Sequence, residues 1–275
     1  MKTILLPTDY SQTAKNAAIY AFELSKQIGV NKIILYNAYQ APVAVDPSLP
    51  VMQLLNMEDI QKISEEGMKT FKNDLENYAD GDIKIETLNE FAILHNNIEE
   101  VCEKTRTDLI VMGITGGGGL EEVLIGSNTI NVVNHTKVPV LIVPAEAKYT
   151  QVEEIVLVCD YKKIDEAIPQ KQLKNILEST KAKLFVLNID HNKDHENDLQ
   201  EAFNLDTTLK DYNPEYHHVD KKDFAEAVNE FVANNKVDMI ITIPKKYGFF
   251  ESIFKRSHTK QLAYHTHVPL LCMHD

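Results

Sequence analysis

The chain has 275 residues, 44 % of them hydrophobic and 25 % charged, with no Trp and a formal net charge of −13. That length suggests two domains or one large one, and the composition fits a globular chain with an ordinary core rather than a disordered one. Acidity spread along the chain repels phosphate backbones and anionic lipid, so nucleic acid and membrane surfaces are not expected partners, although local backbone dipoles can still hold a small phosphorylated ligand.

In chain order, short apolar runs alternate with longer amphipathic ones. Ile4-Leu5-Leu6 reads as a strand, after which Ser11 caps a helix with apolar residues at Ala14, Ala17, Ala18, Ala21, Phe22 and Leu24. Lys32 to Tyr36 is a second strand, and a Pro-bearing segment from Ala41 to Pro50 leads to a helix from about Met52 to Asn77. A third strand follows at Ile83 to Leu88, a helix around Ile98 to Lys104, and a wholly apolar fourth strand at Asp108 to Met112. A helix from Ser127 to about His135 and a strand at Val140 to Val143 complete the set. Five strands separated by helices predict an α/β doubly wound sheet, five-stranded and parallel.

The order then repeats. Ile155 to Val158 aligns with Ile4 to Pro7 at an offset of 151, with Asp160-Tyr161 on Asp9-Tyr10 and Asn188 on Asn37. Nearer the end, Asp238 to Ile241 aligns with Asp108 to Val111, and His265-Thr266-x-Val268-Pro269 with His135-Thr136-x-Val138-Pro139, now at an offset of 130. Five landmarks in conserved order and spacing predict two copies of one domain, 1–147 and 151–275, the second shortened after its second strand.

Glycine is scarce and unevenly spent. Six of the ten glycines, Gly113, Gly116, Gly117, Gly118, Gly119 and Gly126, fall within fourteen residues, and only Gly248 follows them. The segment begins where the fourth strand ends and finishes where a helix begins, at the strand ends where open α/β sheets bind ligands. Gly113 and Gly116 permit a tight turn and a close backbone approach to phosphate. Gly126 and Ser127 add unpaired N–H donors, the positive end of a helix dipole and a hydroxyl, with a second hydroxyl on Thr129. Neither G-x-x-x-x-G-K-[ST] nor G-x-G-x-x-G fits the spacing. Spacing alone leaves a plain glycine loop followed by a Ser N-cap open, and leaves Asp9 open as a simple turn or cap residue.

The pattern G-x-x-G-x9-G-S-x-T after an apolar strand, followed by a helix and Val-Pro-Val-Leu-Ile-Val, resembles the universal stress protein family. The opening Ile4-Leu5-Leu6-Pro7-Thr8-Asp9-Tyr10-Ser11 is similar to that family's first strand and Asp-bearing turn. The resemblance covers the chain twice and is to the ATP-binding branch. It implies a Rossmann-like fold, ATP with or without Mg2+, and binding positions at Pro7, Thr8, Asp9, Ala38, Met112, Gly113, Gly116, Gly126, Ser127, Asn128 and Thr129. It also implies that the two copies pair through their fifth strands as a pseudo-dimer, with homodimerisation as a further expectation. Gly117 to Gly119 depart from the larger polar residues the family often carries there.

The second copy has Ile243, Lys246 and Arg256 where the first has Gly113, Gly116 and Gly126, keeping only Ser257 and Thr259, so it is not expected to bind ATP in the same way. Lys245, Lys246, Lys255 and Arg256 form either an anion-holding rim or a solvated basic loop. His191, His195, His265, His267 and His274 show no fourth metal ligand at suitable spacing, so no metal site is expected from them. No catalytic base or arginine finger stands out, and ATP turnover, if any, should be slow. Cys102, Cys159 and Cys272 are few, odd in number and widely spaced, which predicts reduced thiols and, with no apolar run long enough to span a bilayer, a cytoplasmic location. The expected role is stress-response regulation or protection. The alternative is a nucleotide-independent protein-interaction module of the same fold, and a nucleotide-dependent hydrolase or transferase is the third reading.

Overall fold

The computed structural model describes residues 1–41, 56–79, 81–114, 127–159, 169–189, 205–220, 224–243 and 268–274. In the first half, β1 (Thr3–Pro7), α1 (Gln12–Ile28), β2 (Lys32–Tyr39), α2 (Met57–Glu76), β3 (Lys84–Phe91), α3 (Leu94–Thr105), β4 (Leu109–Gly113), α4 (Ser127–Asn134) and β5 (Val140–Val143) alternate strictly. The second half has β6 (Glu154–Cys159), α5 (Gln170–Thr180), β7 (Lys183–Ile189), β8 (Glu215–Val219), α6 (Phe224–Asn235), β9 (Met239–Thr242) and β10 (Leu270–Cys272).

The ten strands among the described residues form one sheet in the order β3-β2-β1-β4-β5-β10-β9-β6-β7-β8. Pairing is parallel within each half, and β10 runs antiparallel to β5, with Leu271 opposite Leu141. Each half reverses its strand order once, between β1 and β4 and between β6 and β9. The two offsets seen in the sequence have a structural counterpart. Asp108 Oδ2 accepts the N–H groups of Lys2 and Thr3 at 2.7 and 3.1 Å, and Asp238 Oδ2 accepts those of Glu153 and Glu154, both at 2.9 Å. In each half one carboxylate pins the start of the first strand to the start of the fourth.

Strand alternation sorts the core onto two faces. Ile4, Leu6, Ile33 and Leu35 point to the face covered by α1, α2 and α5, where Ala21, Phe22, Phe71 and Leu177 are buried. Leu5, Ile34, Tyr36 and Ile110 point to the face covered by α3, α4 and α6, where Ile98, Val133 and Val228 are buried.

Local signals explain most boundaries. Ser11 Oγ accepts the Ala14 N–H at 3.2 Å to start α1, and Gly29, at φ 70°, ends it by donating its N–H to the Ser25 carbonyl. Helix α2 begins at a capping box between Asn56 and Asp59, and the expected start at Met52 to Leu55 lies outside the described residues. Helix α3 contains the expected Ile98 to Lys104 and begins a turn before it, at Leu94. Its N-cap, Ile93, makes no side-chain cap bond, so nothing in the local sequence marks the start. Strands β2 and β3 extend to Tyr39 and Phe91, beyond the Tyr36 and Leu88 suggested by the apolar runs, because polar residues such as Asn37 and Asn89 pair in register there.

Candidate functional site

At the carboxyl ends of β1, β2 and β4 lies a cleft of about 530 Å³. It opens where the strand order reverses between β1 and β4, the position at which open α/β sheets take their ligands. Its volume is within the ~300–1,000 Å³ usual for small-molecule and cofactor sites.

Nine of the eleven residues expected from the sequence line this one cleft: Pro7, Thr8, Asp9, Ala38, Met112, Gly113, Ser127, Asn128 and Thr129. Gly116 and Gly126 lie outside the described residues, as do Gly117 to Gly119 and the basic residues from Lys245 to Arg256. The N-terminal turns of three helices contribute to the wall: Ser11, Thr13 and Ala14 from α1 and its cap, Leu94 and His95 from α3, and Ser127, Asn128 and Thr129 from α4. Helix starts present N–H groups without intrahelical partners and the positive end of the helix dipole, which suits an anion. Among the described lining residues none is Lys or Arg.

Gly113 has a requirement that its spacing did not reveal. A Cβ built on it would stand 2.6 Å from the Thr13 carbonyl oxygen and 2.9 Å from the Thr13 carbonyl carbon. Glycine here lets the end of β4 lie directly against the first turn of α1, so one small residue brings two walls of the cleft together. Ile243, at the corresponding place in the second half, is instead a partly buried member of the core.

Asp9 is exposed at the cleft, and its Oδ1 accepts the Ser11 N–H at 3.0 Å. The turn-forming role left open by the sequence is therefore present alongside its place in the cleft wall. Behind it, the Thr8 N–H donates to the Tyr36 carbonyl at 2.8 Å, and Asn37 Nδ2 donates to the Thr8 carbonyl at 2.7 Å. Tyr36 forms part of the floor. Burial pushes its phenol up to about 12, and the neighbouring Glu90 carboxylate adds to this against the lowering effect of Asn97. Its hydroxyl donates to Glu90 Oε2 at 3.3 Å and accepts from Asn97 Nδ2 at 3.1 Å. A neutral, hydrogen-bonded phenol gives this wall no charge at neutral pH.

Ser11, Thr13, Ala14, Tyr36, Asn37, Gln40, Ile93, Leu94 and His95 also line the cleft and were missed as site residues. Asn37 carried a usable signal, since it recurs as Asn188 in the repeat. Ile93 to His95 carried none, because the uncapped start of α3 hid the fact that the chain turns there. Asp9 is the only carboxylate among the described lining residues, and no cluster of three His, Cys, Asp or Glu residues suited to a metal occurs among the described residues. The described residues also contain no helix long and apolar enough to cross a membrane.

Comparison with known proteins agrees with this architecture. The chain is 31 % identical over 147 residues to universal stress protein MJ0531 of Methanocaldococcus jannaschii, covering 54 % of this chain and 84 % of that one. It is 28 % identical over 153 residues to universal stress protein MJ0577 of the same organism, covering 52 % of this chain and 94 % of that one. The crystal structure of a universal stress protein from Archaeoglobus fulgidus DSM 4304 shares the fold over nearly the whole length, with a TM-score of 0.70, 18 % identity, and coverage of 99 % of this chain and 98 % of that one. The description of the universal stress protein family matches residues 1–144, and on that match the chain belongs to the universal stress protein family.

Proposed function

We propose that the first half, residues 1–147, binds ATP in the cleft between β1, β2 and β4, and that the chain is a tandem universal stress protein with one nucleotide site. The observation that carries this reading is the convergence of Pro7, Thr8, Asp9, Ala38, Met112, Gly113, Ser127, Asn128 and Thr129 on one cleft at the strand-order reversal. In this reading the adenosine lies between Asp9 and Ala38, and the phosphates lie against Gly113 and the start of α4. Gly116 and Gly126 complete the phosphate cradle, and Mg2+ accompanies the phosphates.

The second half, residues 151–275, has lost the glycine motif. Ile243 takes the place of Gly113, and Thr242, fully buried, that of Met112. The antiparallel pairing of β5 with β10, and core clusters that run through both halves, support an intramolecular pseudo-dimer. Membership of the family supports a stress-response role, and a single nucleotide site on a paired scaffold suits regulation or protection better than rapid turnover. Cytoplasmic residence fits the buried, free Cys102 and Cys272.

The test is nucleotide analysis of the purified chain together with ATP titration of the parent and of Gly126→Arg, which copies the second half's residue. Co-purifying adenine nucleotide and a Gly126→Arg variant with lost affinity support the reading. Equal affinity in variant and parent removes the site assignment. An absence of nucleotide, with no ATP-induced rise in Tm, favours the nucleotide-independent interaction module instead.

A further inference from the structure

Tyr10 follows Asp9 directly but is not among the residues lining the cleft. Its backbone adopts φ 65°, a left-handed conformation that bulky side chains rarely take and that glycine would take without strain. The side chain that makes this conformation unfavourable is also the one that is anchored. The Tyr10 hydroxyl donates to the Ser64 carbonyl on α2 at 2.8 Å, and its ring packs against Phe71 at a centroid distance of 5.9 Å. The ring also lies over Gly67, where a Cβ would come within 2.7 Å of Cε2. Gly67 sits inside α2, where glycine is the least favourable residue short of proline. Two locally unfavourable choices, a left-handed tyrosine and a mid-helix glycine, thus serve one contact. Such conflicts with local preference collect where function over-determines the structure.

The contact belongs to a buried polar network that grips the turn on both sides of Asp9. Ser64 Oγ donates to Asn37 Oδ1 at 2.8 Å and accepts from Asn89 Nδ2 at 2.6 Å. Asn37 Nδ2 holds the Thr8 carbonyl, and Thr8 Oγ1 accepts the Tyr10 N–H at 3.0 Å. Thr8 is therefore held from β2 and Tyr10 from α2. Asp9, between them, is the exposed tip of a turn clamped at both ends.

We infer that Tyr10 is a positioning residue that acts through Asp9, with Ser64 and Gly67 as its seat, and fixes the Asp9 carboxylate at the nucleoside end of the cleft. This rests on the reading that ATP lies with its adenosine at Asp9 and Ala38 and its phosphates at Gly113 to Thr129. It makes α2 part of the binding apparatus although no α2 residue lines the cleft.

The experiment is calorimetric titration of ATP and of inorganic tripolyphosphate into the parent chain and into Tyr10→Phe, Tyr10→Gly and Gly67→Ala. Tripolyphosphate engages only the phosphate end, so it separates a displaced Asp9 from a loosened domain. In Tyr10→Phe, which keeps the ring and removes the hydroxyl's hydrogen bonds to Ser64 and Asn89, ATP affinity is expected to fall roughly three- to tenfold while tripolyphosphate affinity changes less than about twofold. Tyr10→Gly relieves the left-handed backbone yet should lose at least as much ATP affinity, which a role in fold strain alone does not produce. Gly67→Ala, which displaces the ring from its seat, should shift ATP in the same direction. Unchanged ATP affinity in Tyr10→Phe and Tyr10→Gly overturns the inference and leaves the nucleotide site standing. Equal losses for both ligands, or a parent that binds ATP but not tripolyphosphate, also overturn it. A parent that binds no ATP removes the nucleotide reading itself, and the inference with it.

Discussion

Replacing Gly113 by alanine places a methyl carbon 2.6 Å from the Thr13 carbonyl oxygen, against the 3.4 Å at which ordinary contact begins. Roughly 0.8 Å must then be found. The opposing atoms are backbone, so no side-chain rotation can supply it. Either the end of β4 or the first turn of α1 must move, and both belong to the packed core through Val111 and Ala17. Overpacking of this kind costs about 1–3 kcal/mol. At about 2–4 °C per kcal/mol for a chain approaching this size, the melting temperature should drop by several degrees. Urea unfolding followed by circular dichroism measures the change, with an unchanged m-value showing that only stability moved. Gly81→Ala is the matched control. A Cβ there meets nothing within 4 Å, so its effect should stay within about 0.5 kcal/mol. Because Ser11, Thr13 and Ala14 ride on the displaced turn, ATP affinity should fall together with stability in Gly113→Ala. A Gly113→Ala protein as stable as Gly81→Ala would refute the close strand-to-helix approach on which the cleft's shape depends.

Three further outcomes follow from named contacts. Gln27 Nε2 donates to the Val152 carbonyl at 2.9 Å, and its Oε1 accepts from the Tyr149 hydroxyl at 2.6 Å and the Val152 N–H at 2.9 Å. Gln27→Ala should therefore cost about 1–3 kcal/mol in urea unfolding, and a neutral result would mean that this tie between α1 and the segment joining the halves contributes little. Asn37→Leu removes the side-chain donor to the Thr8 carbonyl and the acceptor of the Ser64 hydroxyl, which keeps its bond from Asn89, and should cost a similar ~1–3 kcal/mol, with weakened ATP binding in the same titration. Burial and the nearby Glu99 push the Cys102 thiol up to about 12, and burial pushes Tyr36 up to about 12 as well. Unfolded thiols and phenols titrate near ~8.5 and ~10, so the folded chain holds these protons to higher pH. The associated stability is complete below pH ~8.5 and is lost as pH rises toward 12, by up to ~1.4 kcal/mol per pH unit for each group. Melting curves between pH 7 and 11 check this: the parent should decline with pH, Cys102→Ala should decline less steeply from pH ~8.5, and identical profiles would contradict the assigned burial.

The sequence carried the site better where chemistry is local than where it depends on distant packing. The Ser11 cap, the apolar strands and the glycine segment that opens at Gly113 are short-range signals, whereas the fuller set of expected binding positions came from the family resemblance those motifs carry, and nine of that set line the cleft. Gly113 was legible as a residue needing close approach, but its neighbour Thr13 is a hundred positions away in sequence and no local pattern names it. Ile93, Leu94 and His95 were missed because α3 starts without a side-chain cap. Tyr10 read as part of an ordinary turn, since neither its left-handed φ nor its bond to Ser64 leaves a mark within a few residues. The repeat was visible as two offsets, whereas the clamp from Asp108 and Asp238 onto the first strand of each half required coordinates.

The count of ATP molecules bound per chain tests the central claim most directly, because it asks at once whether the cleft binds and whether the second half has lost that ability. Isothermal titration of ATP into the intact 275-residue chain should give one equivalent. Two equivalents, or no binding at all, would contradict the account.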